Sequence, residues 1–222
     1  MHPYHHALSS QRRHGGQTAD YLPLHNWFDF SKSALAHFTH RALHHHREGI
    51  GEAVHLFGAT IRNADDAAIS VESLGMQHLA EDMSIIPAAA DWLQQMECPA
   101  NGTPLPALHA TPSAEQLALI SARRFATSCE TVLPLYRWFL ATAAWFDDPR
   151  HLAMRHHSFG IFEAEQRFGI VLGDTGIPTR IVAEWHVRTI LGRIPAAADF
   201  LRRIKGQPWM AAAQKPRHLS AA

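Results

Sequence analysis

Between Leu35 and Phe57 apolar or weakly polar side chains return every three or four residues: Leu35, Phe38, Ala42, His46, Ile50, Ala53 and Phe57. That spacing places them on one face of a helix. Pro23 suits a first helical turn, where its missing N–H costs nothing, and no further proline interrupts the chain before Gly58. The pattern therefore predicts helix from Pro23 to Gly58, with further helices over 72–83 and 87–96. Between them, "ATIRNADDAAISV" sets β-branched residues on either side of an Asp-rich turn and predicts a β-hairpin.

The same pattern then recurs. At an offset of 111, "YLPLHNWF" from Tyr21 meets "VLPLYRWF" from Val132, and "HRALHHHREGIGEAVHLFG" from His40 meets "HLAMRHHSFGIFEAEQRFG" from His151, with ten of nineteen positions identical. At an offset of 108, "IPAAADWL" from Ile86 meets "IPAAADFL" from Ile194. The change of three falls in the hairpin segment, whose second version is "IVLGDTGIPTRIV". Internal repetition decides the architecture. The expected fold is mainly α: two tandem, pseudo-symmetric helical repeats, each with a small β-hairpin. Repeat 1 spans 1–96, a Pro-rich linker 97–112, repeat 2 113–206 and a polar tail 207–222. A single repeat is small for a stable core. Two joined copies would form a pseudo-dimer about a twofold axis within one chain.

Composition narrows the function. The 222 residues carry 20 basic and 20 acidic side chains, without the basic excess of a nucleic-acid binder. No apolar run approaches the ~18 residues of a membrane span, and the start lacks the apolar core of a secretory signal. Cys98 and Cys129 are too few for a disulfide scaffold or a thiolate zinc site. These features predict a reducing, cytoplasmic setting, with neither nucleic acid nor membrane as partner. The outlier is histidine, at 18, which predicts a clearly positive charge on mild acidification.

Repeat 1 holds twelve histidines and repeat 2 only four. In repeat 1, His25/Asp29 and His78/Asp82 are i, i+4 pairs, each on one helical face. The offsets pair His25 with Tyr136, Asp29 with Leu140, His78 with His186 and Asp82 with Ile190. His45 and His46 correspond to His156 and His157. Buried carboxylates are costly without a cation, so their replacement by Leu and Ile is the change expected where a cation is no longer held. Imidazole and carboxylate together suit Zn, Mn, Fe or Ni. The candidate ligands are His25, Asp29, His45, His46, His78 and Asp82, with Lys32 and Asp82 as candidate catalytic groups and His6 placed to fold over the site. His46 and His157 are equally readable as satisfied core histidines between the copies. Gly49 and Gly160, one helical turn beyond His45 and His156, suggest room for a neighbouring backbone or a ligand. His37, His40, His44, Glu48 and His55 read as a solvated stripe. "GDTG" at Gly173 matches the Asp-Thr-Gly of aspartic proteases only as a turn.

The stretches "YHHALSSQRRHGG", "DYLPLHNWFDFSK", "HRALHHHREGI" and "QHLAEDMSIIPAAADWL" resemble a family of short, uncharacterised bacterial and phage proteins, classed as a domain of unknown function. Its motifs are H-x-W-F-D-x-S-K, HH-x-x-G-I and Q-H-x-x-E-D. The resemblance covers nearly all of repeat 1. Repeat 2 departs from it at the counterparts of His25, Asp29, Lys32, Glu48 and Asp82, which implies an intact site in repeat 1 alone.

Two functions follow as expectations. One is a divalent-metal-dependent hydrolase of the phosphoester class, with Lys32 or a histidine steadying an anionic substrate. The order of the residues loosely resembles helical metallophosphohydrolases, although the adjacent His-Asp pair is missing. The other is a non-catalytic interaction or accessory protein, its partner a small molecule or protein, with a structural histidine network.

Overall fold

The computed structural model describes residues 1–97 and 111–211. Most of the expected linker, and the tail beyond 211, lie outside the described residues. The first repeat contains α1 (Pro3–His14), α2 (Thr18–Asp29), α3 (Arg47–Phe57), strands β1 (Thr60–Arg62) and β2 (Ala68–Ser70), α4 (Val71–Asp82) and α5 (Ala89–Gln94). The second contains α6 (Ala114–Phe125), α7 (Cys129–Leu140), α8 (Ser158–Phe168), α9 (Thr179–Leu191) and α10 (Ala197–Leu201). Each helix has its counterpart, so the chain is two tandem helical repeats. No described helix is long and apolar enough to cross a membrane.

The chain forms two compact units. One is Met1–Ala89 with the segment beginning at Gly206, and the other is Ala90–Lys205. The first unit thus includes the 3-10 turn Pro208–Met210, tied by Ser84 N–H to Trp209 O (3.2 Å) and by Arg41 to Met210 O (3.0 Å). The second includes most of α5, joined by Lys205 N–H to Gln95 O and Glu97 N–H to Arg203 O, both 3.0 Å. Neither sequence repeat is identical with a compact unit.

Three expectations change, and one helix is unforeseen. The long helix does not form. Two 3-10 turns, Phe30–Ser33 and Phe38–Leu43, separate α2 from α3, and the chain is extended at His37 and His46. Ser33 Oγ–H donates to Phe30 O at 2.8 Å and Ser31 Oγ–H to His40 O at 3.1 Å, so side chains compete with the helical ladder. Leu35, Ala42, Ile50 and Ala53 of the apolar stripe are still buried, whereas Phe38 is exposed. Secondly, Pro23 lies inside α2, which begins at Thr18, and Pro134 lies inside α7. The unforeseen helix is α1, capped by His2 with Pro3 in its first turn. Finally, among the described residues only repeat 1 has a two-stranded ladder, Thr60–Arg62 on Ala68–Ser70, whereas its counterpart is the single bridge Val171–Pro178. That shorter turn runs through left-handed Gly173 and Gly176.

In the first unit, α1 lies on α2 and α3 on α4, around buried Tyr21, Leu24, Phe28, Leu74 and Leu79. In the second, Leu117, Val132, Leu135, Phe139, Val182 and Val187 fill the equivalent core. The polar cluster of repeat 1 is embedded in the first of these.

Candidate metal centre

The break after α2 sets the geometry. Asp29 ends α2, His45 precedes α3, and His78 and Asp82 occupy the last turns of α4. One donor atom from each of Asp29, His45, His78 and Asp82 lies within 4.8 Å of the others, and all four residues are buried. His45 Nε2 is 3.1 Å from His78 Nε2, 3.4 Å from Asp82 Oδ2 and 3.8 Å from Asp29 Oδ1. Ligands about 2.0–2.2 Å from a tetrahedral ion stand about 3.4 Å apart. The three separations from His45 bracket that value. Asp29 Oδ2 accepts no hydrogen bond from a described residue.

His25 and His46 stand outside this group. His25 Nδ1 faces His78 Nδ1 at 3.0 Å, and its Nε2 faces Ser10 Oγ at 2.9 Å. His25 therefore packs against the His78 ring and is not among the four gathered donors. His46 caps α3: Gly49 N–H donates to its Nδ1 at 3.0 Å, and its Nε2–H donates to Leu43 O at 3.1 Å. His157 does the same through Gly160 N–H (2.9 Å) and Ala153 O (3.1 Å). Both rings are buried and satisfied within their own unit. Gly49 and Gly160 make room for backbone: a Cβ there would strike the carbonyl oxygen of His44 or Arg155.

Charged groups crowd the carboxylates. Lys32 Nζ is 2.6 Å from Asp29 Oδ1, and a terminal nitrogen of Arg41 forms an ion pair with Asp82 Oδ2 at 3.1 Å. The Met1 amino group contacts Asp82 Oδ1, and His6 Nε2 lies 3.4 Å from the same oxygen. His6 Nδ1 is held by Glu81 Oε2 at 2.6 Å, while Ser9 and Gln77 donate to Glu81 Oε1. Burial alone would protonate Asp82, but hydrogen bonds from His45, His6 and the amino group, with the Arg41 charge, hold its pKa far below the usual range. Burial pushes His45 down to about 4, against the pull of Asp82 and Asp29, and His25 to about 3, helped by His6. Desolvation pushes His6 down too, but Asp82 and Glu81 outweigh it and raise its pKa.

The expected solvated stripe is half buried. His37 and His55 are exposed, whereas His40 and His44 are buried. His40 Nδ1 meets Ser31 Oγ at 3.1 Å, and His44 stacks on Trp27 with ring centroids 4.2 Å apart.

In repeat 2, His186 Nε2 and His156 Nε2 again stand 3.1 Å apart, but the surroundings are apolar. Leu140 and Ile190 replace the two aspartates and Tyr136 replaces His25. Ala143 stands at the Lys32 position, Leu152 at Arg41, Leu117 at His6 and Thr189 at Glu81. The contribution of Arg41 and Glu81 was not read from the sequence, yet the same polar-to-apolar comparison across the offset marks Arg41.

A family model described as a domain of unknown function (DUF6915) matches residues 1–101 and again 113–210, so the chain belongs to that family and carries its domain twice. No curated protein and no solved structure shows a significant match.

Proposed function

We propose that this tandem member of the family is a metal-binding protein whose first repeat holds a divalent transition ion (Zn, Mn, Fe or Ni) between Asp29, His45, His78 and Asp82, and that it acts as a metal-dependent hydrolase of the phosphoester class. The observation that carries this reading is the buried two-nitrogen, two-oxygen donor set within 4.8 Å. A mixed imidazole and carboxylate set suits these ions, and such an ion makes a bound water acidic enough to attack near neutral pH. Ser10 and His25 fix the ring of His78, Asp82 faces His6 through its other oxygen, and Lys32 steadies an anionic substrate. The setting is reducing and cytoplasmic, in keeping with two cysteines in the chain, of which Cys129 is a free thiol.

A second reading is a non-catalytic accessory protein with a structural histidine network. It is favoured by the His156–His186 contact, which repeats the His45–His78 distance with no carboxylate present.

Elemental analysis of untagged protein separates the two. About one equivalent of metal is expected in the full chain, with Asp82→Asn and His78→Ala retaining little. Chelation should abolish turnover of a generic phosphomonoester. Folded protein that takes up none of the four ions after metal-free preparation would end the metal reading.

A further inference from the structure

The four donors are almost sealed, and the partly exposed charged side chains that pair directly with their carboxylates are cationic, while the partly exposed Glu81 pairs with His6. The side chains of Asp29, His45, His78 and Asp82 are 0–2% exposed, whereas Lys32 is 39% and Arg41 15% exposed. Lys32 and Arg41 each pair with one of the two carboxylates. The two carboxylates of the ion-free cluster are therefore already matched by two cations, and the Met1 amino group makes a third. The remaining charged groups, His6 and Glu81, pair with each other.

A buried cluster so matched does not welcome two further positive charges unless negative charge enters with them. The ion and the two cations compete for the same oxygens: Lys32 is on Asp29 Oδ1, and Arg41 is on Asp82 Oδ2, the oxygen nearest His45. Loading the centre sets Lys32 and Arg41 free of the carboxylates, at the rim of a cluster whose net charge is then at least plus two. Arg41 is built for this exchange, because its Nε is buried with no acceptor among the described residues, while one terminal nitrogen is anchored on Met210 O at 3.0 Å. An anchored guanidinium presents a fork that fits an oxyanion. Repeat 2 loses both cations, to Ala143 and Leu152, along with both carboxylates.

Resting on the metal reading, we infer that the loaded centre takes a tetrahedral oxydianion, a phosphate or phosphomonoester group, held between the ion, Lys32 and Arg41, and that metal and dianion bind cooperatively. A phosphodiester monoanion restores at most half of the missing charge and binds more weakly.

The test is calorimetric titration of metal-free, untagged, full-length protein with Mn²⁺, in chloride buffer and with inorganic phosphate added. Phosphate should tighten Mn²⁺ binding about tenfold or more, within the usual range of coupling between sites. Dimethyl phosphate, a monoanion, should have a smaller effect. Lys32→Met, at a partly exposed position, should keep or improve Mn²⁺ affinity in chloride, because a competitor is gone, while losing most of the phosphate effect. Arg41→Gln should behave alike. Mn²⁺ binding that is indifferent to phosphate overturns the dianion and leaves the metal centre standing. Equal phosphate binding with and without Mn²⁺ overturns the coupling. Absence of Mn²⁺ binding, with Zn²⁺ also failing, removes the metal reading and this inference with it.

Discussion

A residue that holds a donor in place can matter nearly as much as the donor. His25 lies outside the proposed donor set, yet its ring contacts both Ser10 and His78, and in the proposed site it would orient His78. Replacing such an outer partner typically costs 10–100-fold in metal affinity. His25→Ala should therefore weaken metal binding by about that factor in a competition titration, with Ser10→Ala weaker in the same direction. His46→Ala should do the opposite of what its place beside His45 suggests. It should leave metal affinity near the wild-type value and cost stability of about 0.5–2 kcal/mol, the range for a lost helix cap. Denaturant unfolding of the metal-free protein measures that loss. A large fall in metal affinity for His46→Ala, with stability intact, would contradict its capping role. The sequence could not separate these neighbours. Two adjacent histidines differ in which way they face only through the local backbone, and the extended conformation at His46 has no signature in residue type. Asp29 and Asp82 were legible for a plainer reason: their counterparts are Leu140 and Ile190, and a buried carboxylate rarely yields to an aliphatic side chain while its cation is still needed.

At the scale of elements, the repeat was legible because deletion inside a turn shifts an offset without erasing it. The helix boundaries were less so. The apolar spacing from Leu35 to Phe57 runs through the 3-10 turn Phe38–Leu43 and the extended His46, so the stripe it predicts is broken and Phe38 is exposed. α1 went unread because its interior, "PYHHALSSQRRH", is mostly polar and buries only His6, Ala7 and Ser10. The sharp entry into α3 and α8 depends on Gly49 and Gly160, each pressed against the carbonyl one turn back. Gly160→Ala should destabilise by about 1–3 kcal/mol through overpacking. In a chain of this size that lowers the melting temperature by about 2–4 °C per kcal/mol. The second repeat is the better place to measure it, since no proposed ligand is disturbed. An unchanged melting temperature would mean that the backbone there yields freely.

The whole molecule responds to acid differently from its composition. Eighteen histidines suggest a chain that charges readily below neutrality, but many are buried and held neutral. In repeat 2, burial pushes His151 and His186 down to about 4 and about 3, and His156 well below its ordinary value. The unfolded chain protonates such rings near pH 6.5, so between there and pH 4 the unfolded state binds more protons and the fold loses stability as pH falls. Each ring contributes on the order of 1 kcal/mol per pH unit across that window. His6, with its raised pKa, works in the opposite direction and offsets part of this. Melting temperature should fall steeply from pH 6.5 to 4.5, and the slope should flatten in His151→Asn. A flat profile would show that these rings titrate freely.

The exchange of chain ends between units carries one more consequence. Residues 90–97 belong to the second unit and those from Gly206 to the first, so peptide order and folded order are out of step. A protease site engineered into 98–110 should therefore break the polypeptide without freeing its halves. The two fragments should co-elute under native conditions and part only in denaturant. Each half expressed alone would lack a piece of its own core, and mixing the halves should restore what neither holds separately.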